Sequence, residues 1–139
     1  MRCVIPLAVS ILAFVVILGC QSPEKAAIQP LPTDAAPLGY AELVSRGHAQ
    51  VAAAHEFFYQ DRWDDVKKAA EAIRDTSAAL TVIKPDNVPT AKRANLAVQT
   101  KELTEAAAGL SDAAAAKDVA KASEAIRRLH LVVRQLRPD

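Results

Sequence analysis

The chain has 139 residues, of which 51% are hydrophobic and 4% aromatic, and its formal net charge is +1. This length suits one small domain, and the near-neutral charge and scarce aromatic side chains give no electrostatic or stacking surface for nucleic acid. Cys3 and Cys20 are the two cysteines, so the remainder of the chain has no thiol for a disulfide, a zinc–thiolate site or a nucleophile.

Residues 1–19 have the pattern of a secretory signal peptide, with Arg2 followed by a mostly apolar run at residues 4–18. This run is too short to favour a permanent membrane span. Its end, Ile17-Leu18-Gly19-Cys20, resembles the lipobox of bacterial lipoproteins. The resemblance implies diacylglycerol on Cys20, cleavage after Gly19, and acylation of the new amino group by a fatty acid such as palmitate. The alternative is an ordinary signal anchor with an incidental cysteine.

Residues 20–39 follow the predicted cleavage site and are rich in proline, at positions 23, 30, 32 and 37. Proline-rich composition favours an extended, semi-rigid spacer. We therefore predict a tether that holds the domain formed by residues 40–139 off the membrane surface.

The first two predicted helices are rich in alanine, the strongest helix former. The first covers residues 40–60, and its apolar seam comprises Val44, His48, Val51, His55 and Phe58. The second covers residues 61–83, and its apolar stripe comprises Trp63, Val66, Ala70, Ile73, Ser77 and Leu80. A loop with two prolines follows at residues 84–89.

The third predicted helix covers residues 90–108, with Leu96, Leu103 and Leu110 along its apolar side. Gly109 is a suitable C-terminal cap for it, and Ser111 is a suitable N-cap for the next helix. The fourth helix is predicted over residues 112–136, with a stripe of Val119, Ala122, Ile126, Leu129, Val133 and Leu136.

Four such helices with short connections predict an all-α fold, an antiparallel up-down four-helix bundle. The second and fourth helices share the order V-x-K-A-x-E-A-I-R, beginning at Val66 and Val119. Duplication of a helical hairpin explains this match, and so does convergence between alanine-rich amphipathic helices.

The three histidines all lie in the predicted bundle. His48 and His55 are two turns apart on the seam of the first helix, and His130 lies at the edge of the fourth stripe. Imidazole commonly binds metals and haem iron, so His48 and His55 form a candidate transition-metal site. The alternative is that each histidine flanks the core, with its ring nitrogens hydrogen-bonded or hydrated.

Residues 126–134 resemble the end of a cytochrome c-prime, whose last helix carries C-x-x-C-H-x-x-F-R. His130 and Arg134 match its histidine and arginine, whereas Ile126 and Leu129 occupy the two cysteine positions. The related b-type four-helix cytochromes end in His-x-x-x-Arg without cysteines, and His48 lies at about the depth of their second ligand. The absence of both cysteines excludes covalent haem, so the resemblance favours a bundle of this superfamily that has lost haem or never carried it. The alternative is non-covalent haem b, with His130 and His48 as axial ligands and Arg134 near a propionate.

The sequence predicts a lipid-anchored bundle of the bacterial cell envelope, on the inner or outer membrane and facing the periplasm. We expect a binding or structural role toward an envelope protein or small ligand. An enzyme is not expected, because no nucleophile has a base beside it in sequence and no glycine loop cradles phosphate. The alternatives are electron transfer by haem b between His130 and His48, and transition-metal binding by His48 and His55.

Overall fold

The computed structural model describes residues 23–30 and 37–138, so the predicted signal peptide and Cys20 lie outside the described residues. The described residues contain no strand, which confirms the all-α class. The helices are α1 Pro23–Ala27, α2 Tyr40–Tyr59, α3 Trp63–Thr81, a 3₁₀ turn Pro85–Asn87, α4 Thr90–Arg93, α5 Leu96–Ala116 and α6 Val119–Leu136.

The four long helices pack around one core. Helix α3 contacts α2 and α5, α5 also contacts α6, and α6 contacts α2, which closes the ring. Fully buried alanines from all four helices allow close approach, and larger side chains such as Phe57, Ile73 and Leu110 fill the remaining interior. Within the described residues, no helix has the length and apolar character needed to cross a membrane.

The predicted stripe of α3 is confirmed, because Val66, Ala70, Ile73, Ser77 and Leu80 are all buried, whereas Trp63 is half-buried. The predicted seam of α2 is rotated from the buried face. Its buried face comprises Tyr40, Leu43, Val44, Gly47, Gln50, Val51, Ala53, Ala54 and Phe57. His48 and His55 consequently lie half-buried at the edge of this face.

The boundary predicted between the third and fourth helices is wrong. Helix α5 continues through Gly109 and Ser111 to Ala116, and Gly109 is an exposed helical residue without a positive φ. The turn occurs instead at Lys117, whose φ is 53°. A run of alanines on both sides sustains the helix past one glycine, whose cost is only about 1 kcal/mol relative to alanine.

The Lys117 turn is a Schellman motif, because the Lys117 amide donates to Ala114 O at 3.1 Å and the Asp118 amide to Ala113 O at 2.9 Å. Asp118 then caps α6 by accepting a hydrogen bond from the Lys121 amide at 3.0 Å. Val119, predicted on the apolar stripe of the fourth helix, is 60% exposed in this first turn. The other five members of that stripe are buried.

The start of the third predicted helix is also displaced. Residues Thr90–Arg93 form the separate one-turn helix α4, and α5 begins only at Leu96. Arg93 Nε donates to Val88 O at 2.9 Å, and Val88 is buried against the core. The loop after α3 is thus attached to the bundle at Val88.

The turn from α2 to α3 repeats the Schellman motif with Asp61 at a φ of 58°. The Arg62 amide donates to Phe57 O at 2.9 Å, and the Asp61 amide donates to Phe58 O at 3.1 Å. The Arg62 guanidinium lies 4.4 Å from the centre of the Phe57 ring and 2.6 Å from Asp65 Oδ2. This hydrogen-bonded guanidinium lowers the pKa of Asp65 below its usual value.

The segment predicted as an extended tether contains a short helix, α1, which contacts α2. Ala27 and Ile28 are half-buried against the core, and Arg46 Nη2 donates to Gln29 O. In the amide orientation that satisfies both of its side-chain atoms, Gln50 accepts from Arg46 Nε at 3.2 Å and donates to Thr76 Oγ1 at 2.9 Å. The buried Gln50–Thr76 pair between α2 and α3 therefore orients Arg46, which contacts this segment.

Candidate binding cleft between α2 and α6

Helices α2 and α6 border an open cleft with a volume of about 560 Å³, within the usual range for small-molecule sites. It is lined by His55, Phe58, Tyr59, Ser123, Ile126, Arg127, His130 and Leu131. We call this the α2–α6 cleft. The lining residues come from two helices that also contribute to the core, so the cleft walls are held by packed structure rather than by a loop.

The apolar part of the cleft extends from the core to the surface. Ile126 is buried, and Phe58 is half-buried with its ring edge-on to Trp63 at 5.7 Å between centroids. Leu131 and Tyr59 continue the apolar surface outward and are 49% and 74% exposed. Exposed apolar side chains beside a buried apolar floor are typical of a binding surface.

Two histidines from different helices meet in the α2–α6 cleft. The rings of His55 and His130 are 5.2 Å apart between centroids, with their planes at 72°. The His55 ring also lies 4.7 Å from the Tyr59 ring. The structure therefore brings together His55 and His130, a combination that the sequence did not single out.

His130 carries a buried nitrogen without a protein partner. Its Nε2 atom is buried and has no hydrogen-bond partner among the described residues. Burial, reinforced by the nearby His55 and His48, holds the pKa of His130 below its usual value. The ring is therefore neutral at neutral pH, which leaves one ring nitrogen with a free lone pair.

His48 has a different environment from the other two histidines. Arg137 Nη2 lies 3.0 Å from His48 Nε2, so this nitrogen accepts a hydrogen bond from the guanidinium group. His48 lines a second cleft with Ala41, Val44, Ser45, Arg137 and Pro138, which shares no residue with the α2–α6 cleft. The arrangement does not fit a haem held between His48 and His130, because the two rings do not line one cavity.

The other predicted ligands are also distributed over the surface. Arg134, the predicted propionate partner, is exposed near the end of α6. His48 contacts Arg137 and His55 contacts Tyr59 and His130, so the predicted metal pair on α2 points to separate neighbours. Within the part of the chain that the structure describes, no three His, Cys, Asp or Glu residues are grouped to hold a metal ion.

The charged residue of the α2–α6 cleft is Arg127, which is fixed by Glu124 on the same helix. Its Nε and Nη2 atoms donate to the two Glu124 carboxylate oxygens at 2.9 and 2.7 Å. This bidentate pair raises the pKa of Arg127 and lowers that of Glu124. The lining residues themselves include no carboxylate.

A spacing in the sequence anticipates the histidine contact. His48 and His55 are seven positions apart in the sequence, and so are His130 and Arg137. When the two helices run in opposite directions, His55 faces His130 at one level and His48 faces Arg137 two turns away. Finding this match requires pairing the first and last long helices of the chain, which the local pattern of either helix does not reveal.

No protein family, curated protein or solved structure matches this chain.

Proposed function

We propose that this protein is a lipid-anchored protein of the bacterial cell envelope whose antiparallel up-down bundle binds a small ligand or an envelope protein in the α2–α6 cleft. The observation that carries the binding role is the cleft itself, where an apolar floor adjoins two histidines, a tyrosine and an arginine. An apolar pocket with a few convergent polar groups is the usual form of a ligand site.

Contacts between residues far apart in sequence support the antiparallel arrangement. Tyr40, the first residue of α2, donates its hydroxyl to the carbonyl of Leu136, the last residue of α6, at 2.5 Å. Further along the same pair, His55 contacts His130. Residue numbers that rise along one helix while they fall along its neighbour are typical of antiparallel packing.

The lipid anchor is supported by the order Ile17-Leu18-Gly19-Cys20 after the apolar run. The test is metabolic labelling with an alkyne analogue of palmitate. We expect label in the wild type and its loss in Cys20→Ser. Cys3→Ser is the matched control, because it removes the other cysteine of the chain, which lies within the predicted signal peptide. Unchanged labelling of Cys20→Ser would exclude the anchor.

We infer a binding rather than a catalytic role, because the sequence offers no nucleophile with a base beside it and no glycine loop for phosphate. The predicted signal peptide supports placement in the periplasm, which is part of the same proposal. The resemblance to cytochrome c-prime, which rests on His130 and Arg134, also supports the bundle architecture.

The cleft is tested with the fluorescent dye 1-anilinonaphthalene-8-sulfonate, which binds exposed apolar surface. Leu131→Glu adds a negative charge to the cleft and removes an apolar contact. We expect weaker dye binding by about tenfold, because the apolar contact of one leucine contributes about 1.5 kcal/mol. Val98→Glu on α5 is the matched control, since Val98 is 59% exposed and does not line the cleft.

Equal dye affinity of Leu131→Glu and the wild type would contradict the binding role of the cleft. A loss of affinity in both variants would contradict it as well, since it would show that the dye follows overall charge. Circular dichroism of each variant checks that the helices are retained. Both replaced side chains are largely exposed, so we expect no change in helix content.

A further inference from the structure

The His55–His130 contact joins two imidazoles from α2 and α6 across the α2–α6 cleft. Neither ring is exposed to solvent over most of its surface, and both are held on long helices of the bundle. Two imidazoles from separate rigid elements have a fixed separation, which is a geometric requirement for sharing an ion.

The separation of the two rings agrees with tetrahedral coordination of one ion. A zinc–imidazole bond is about 2.0–2.1 Å long, so each ring centre lies about 3.2 Å from the ion. Two such rings at the tetrahedral angle have centroids about 5.2 Å apart, and at a right angle about 4.5 Å. The observed distance is 5.2 Å, with the ring planes at 72°.

The orphaned nitrogen of His130 provides a second, independent observation. Its Nε2 atom is buried and has no hydrogen-bond partner among the described residues. A buried polar atom without a partner destabilises the fold, and a bound ion removes this cost.

We propose that His55 and His130 bind a Zn²⁺ ion in the α2–α6 cleft, with its remaining positions filled by water or by a group of the bound ligand. This inference rests on the proposed binding function and names its ligand chemistry. The cleft contributes two imidazoles and no carboxylate, so the site differs from closed structural zinc sites with four protein ligands. Such an open site binds more weakly and presents the ion to a partner in solution.

The test is calorimetric titration of the full-length protein with Zn²⁺ alone, after purification in detergent without a histidine tag and removal of metal by a chelator. We expect one Zn²⁺ per chain in the wild type. His55→Ala and His130→Ala each weaken binding by at least about tenfold, because loss of even an outer-shell partner costs 10–100-fold. His48→Ala is the matched control, since this histidine lies in the other cleft against Arg137, and we expect its affinity within about twofold of the wild type.

Cobalt provides a readout that nonspecific surface binding does not produce. Co²⁺ in place of Zn²⁺ shows strong visible absorption when it is four-coordinate, and we expect these bands in the wild type and in His48→Ala only. Absence of Zn²⁺ binding by the wild type, or equal weakening by all three substitutions, would overturn the proposal. Dye binding that still depends on Leu131 would then show that the cleft binds an apolar ligand without zinc. Failure of the zinc proposal can therefore be distinguished from failure of the proposed binding function.

Discussion

Replacement of Gly109 by alanine tests where the third long helix ends. In the structure Gly109 is exposed in the interior of α5, and a Cβ atom added there meets nothing within 4 Å. Alanine is favoured over glycine in a helix interior by about 0.8–1.0 kcal/mol. With no steric term to offset this gain, Gly109→Ala raises the free energy of unfolding by about 1 kcal/mol and the Tm by about 4–8 °C.

The sign of the effect distinguishes two structures. If Gly109 were instead a C-terminal cap in the left-handed region, alanine there would destabilise the protein by about 1 kcal/mol. The measurement is urea unfolding followed by circular dichroism, together with thermal melting. Lys117→Gly is the companion variant, because Lys117 occupies the positive-φ position of the observed turn. We expect it to stabilise by about 0.5–1 kcal/mol, and a Tm decrease in Gly109→Ala would refute the continuous helix.

Three further outcomes are expected. Tyr40→Phe removes the buried hydrogen bond to the Leu136 carbonyl, and we expect it to lower the free energy of unfolding by about 1 kcal/mol; unchanged urea unfolding would contradict this. Hydrogen bonds from the Lys121 amide and side chain lower the pKa of Asp118 below 3.8 in the folded protein, so its charge stabilises the fold fully above that pH and less as the pH falls through the folded pKa. Urea unfolding at a series of pH values compares the stability of the wild type with that of Asp118→Asn. We expect the difference between the two free energies of unfolding to shrink in acid. A difference that does not change with pH would exclude the charge of Asp118 as its cause. Because His48 and His130 line separate clefts, haem titration should give no Soret band that depends on both residues, and a band lost in both His48→Ala and His130→Ala would refute this placement.

The existence of four long helices follows from the sequence because alanine content and periodic apolar residues act locally. The stripe of α3 is confirmed for the same reason, since its period alone selects the buried side. On α2 the local apolar pattern selects the buried side less clearly than on α3. Gly47, Gln50 and Ala54 belong to the buried face, and small or polar residues of this kind carry little hydrophobic signal.

The turn at Lys117 and the His55–His130 contact depend on information that local rules lack. Both Schellman turns place a residue other than glycine at positive φ, Asp61 and Lys117. A rule that seeks glycine after a helix therefore selects Gly109 instead. The histidine contact depends on how α2 aligns with α6, and this alignment is set by packing of the whole bundle rather than by either helix alone.

The Tyr40–Leu136 hydrogen bond has a consequence for how the bundle is connected. It joins residues 96 positions apart and places the first residue of α2 beside the last residue of α6. Neighbouring ends of this kind permit circular permutation, in which a short linker joins them and new ends open in the exposed 84–87 loop. The order of the helices along the chain is thus separable from their packing. A protein fused after residue 138 would emerge beside the start of α2, at the end of the bundle where Tyr40 contacts Leu136.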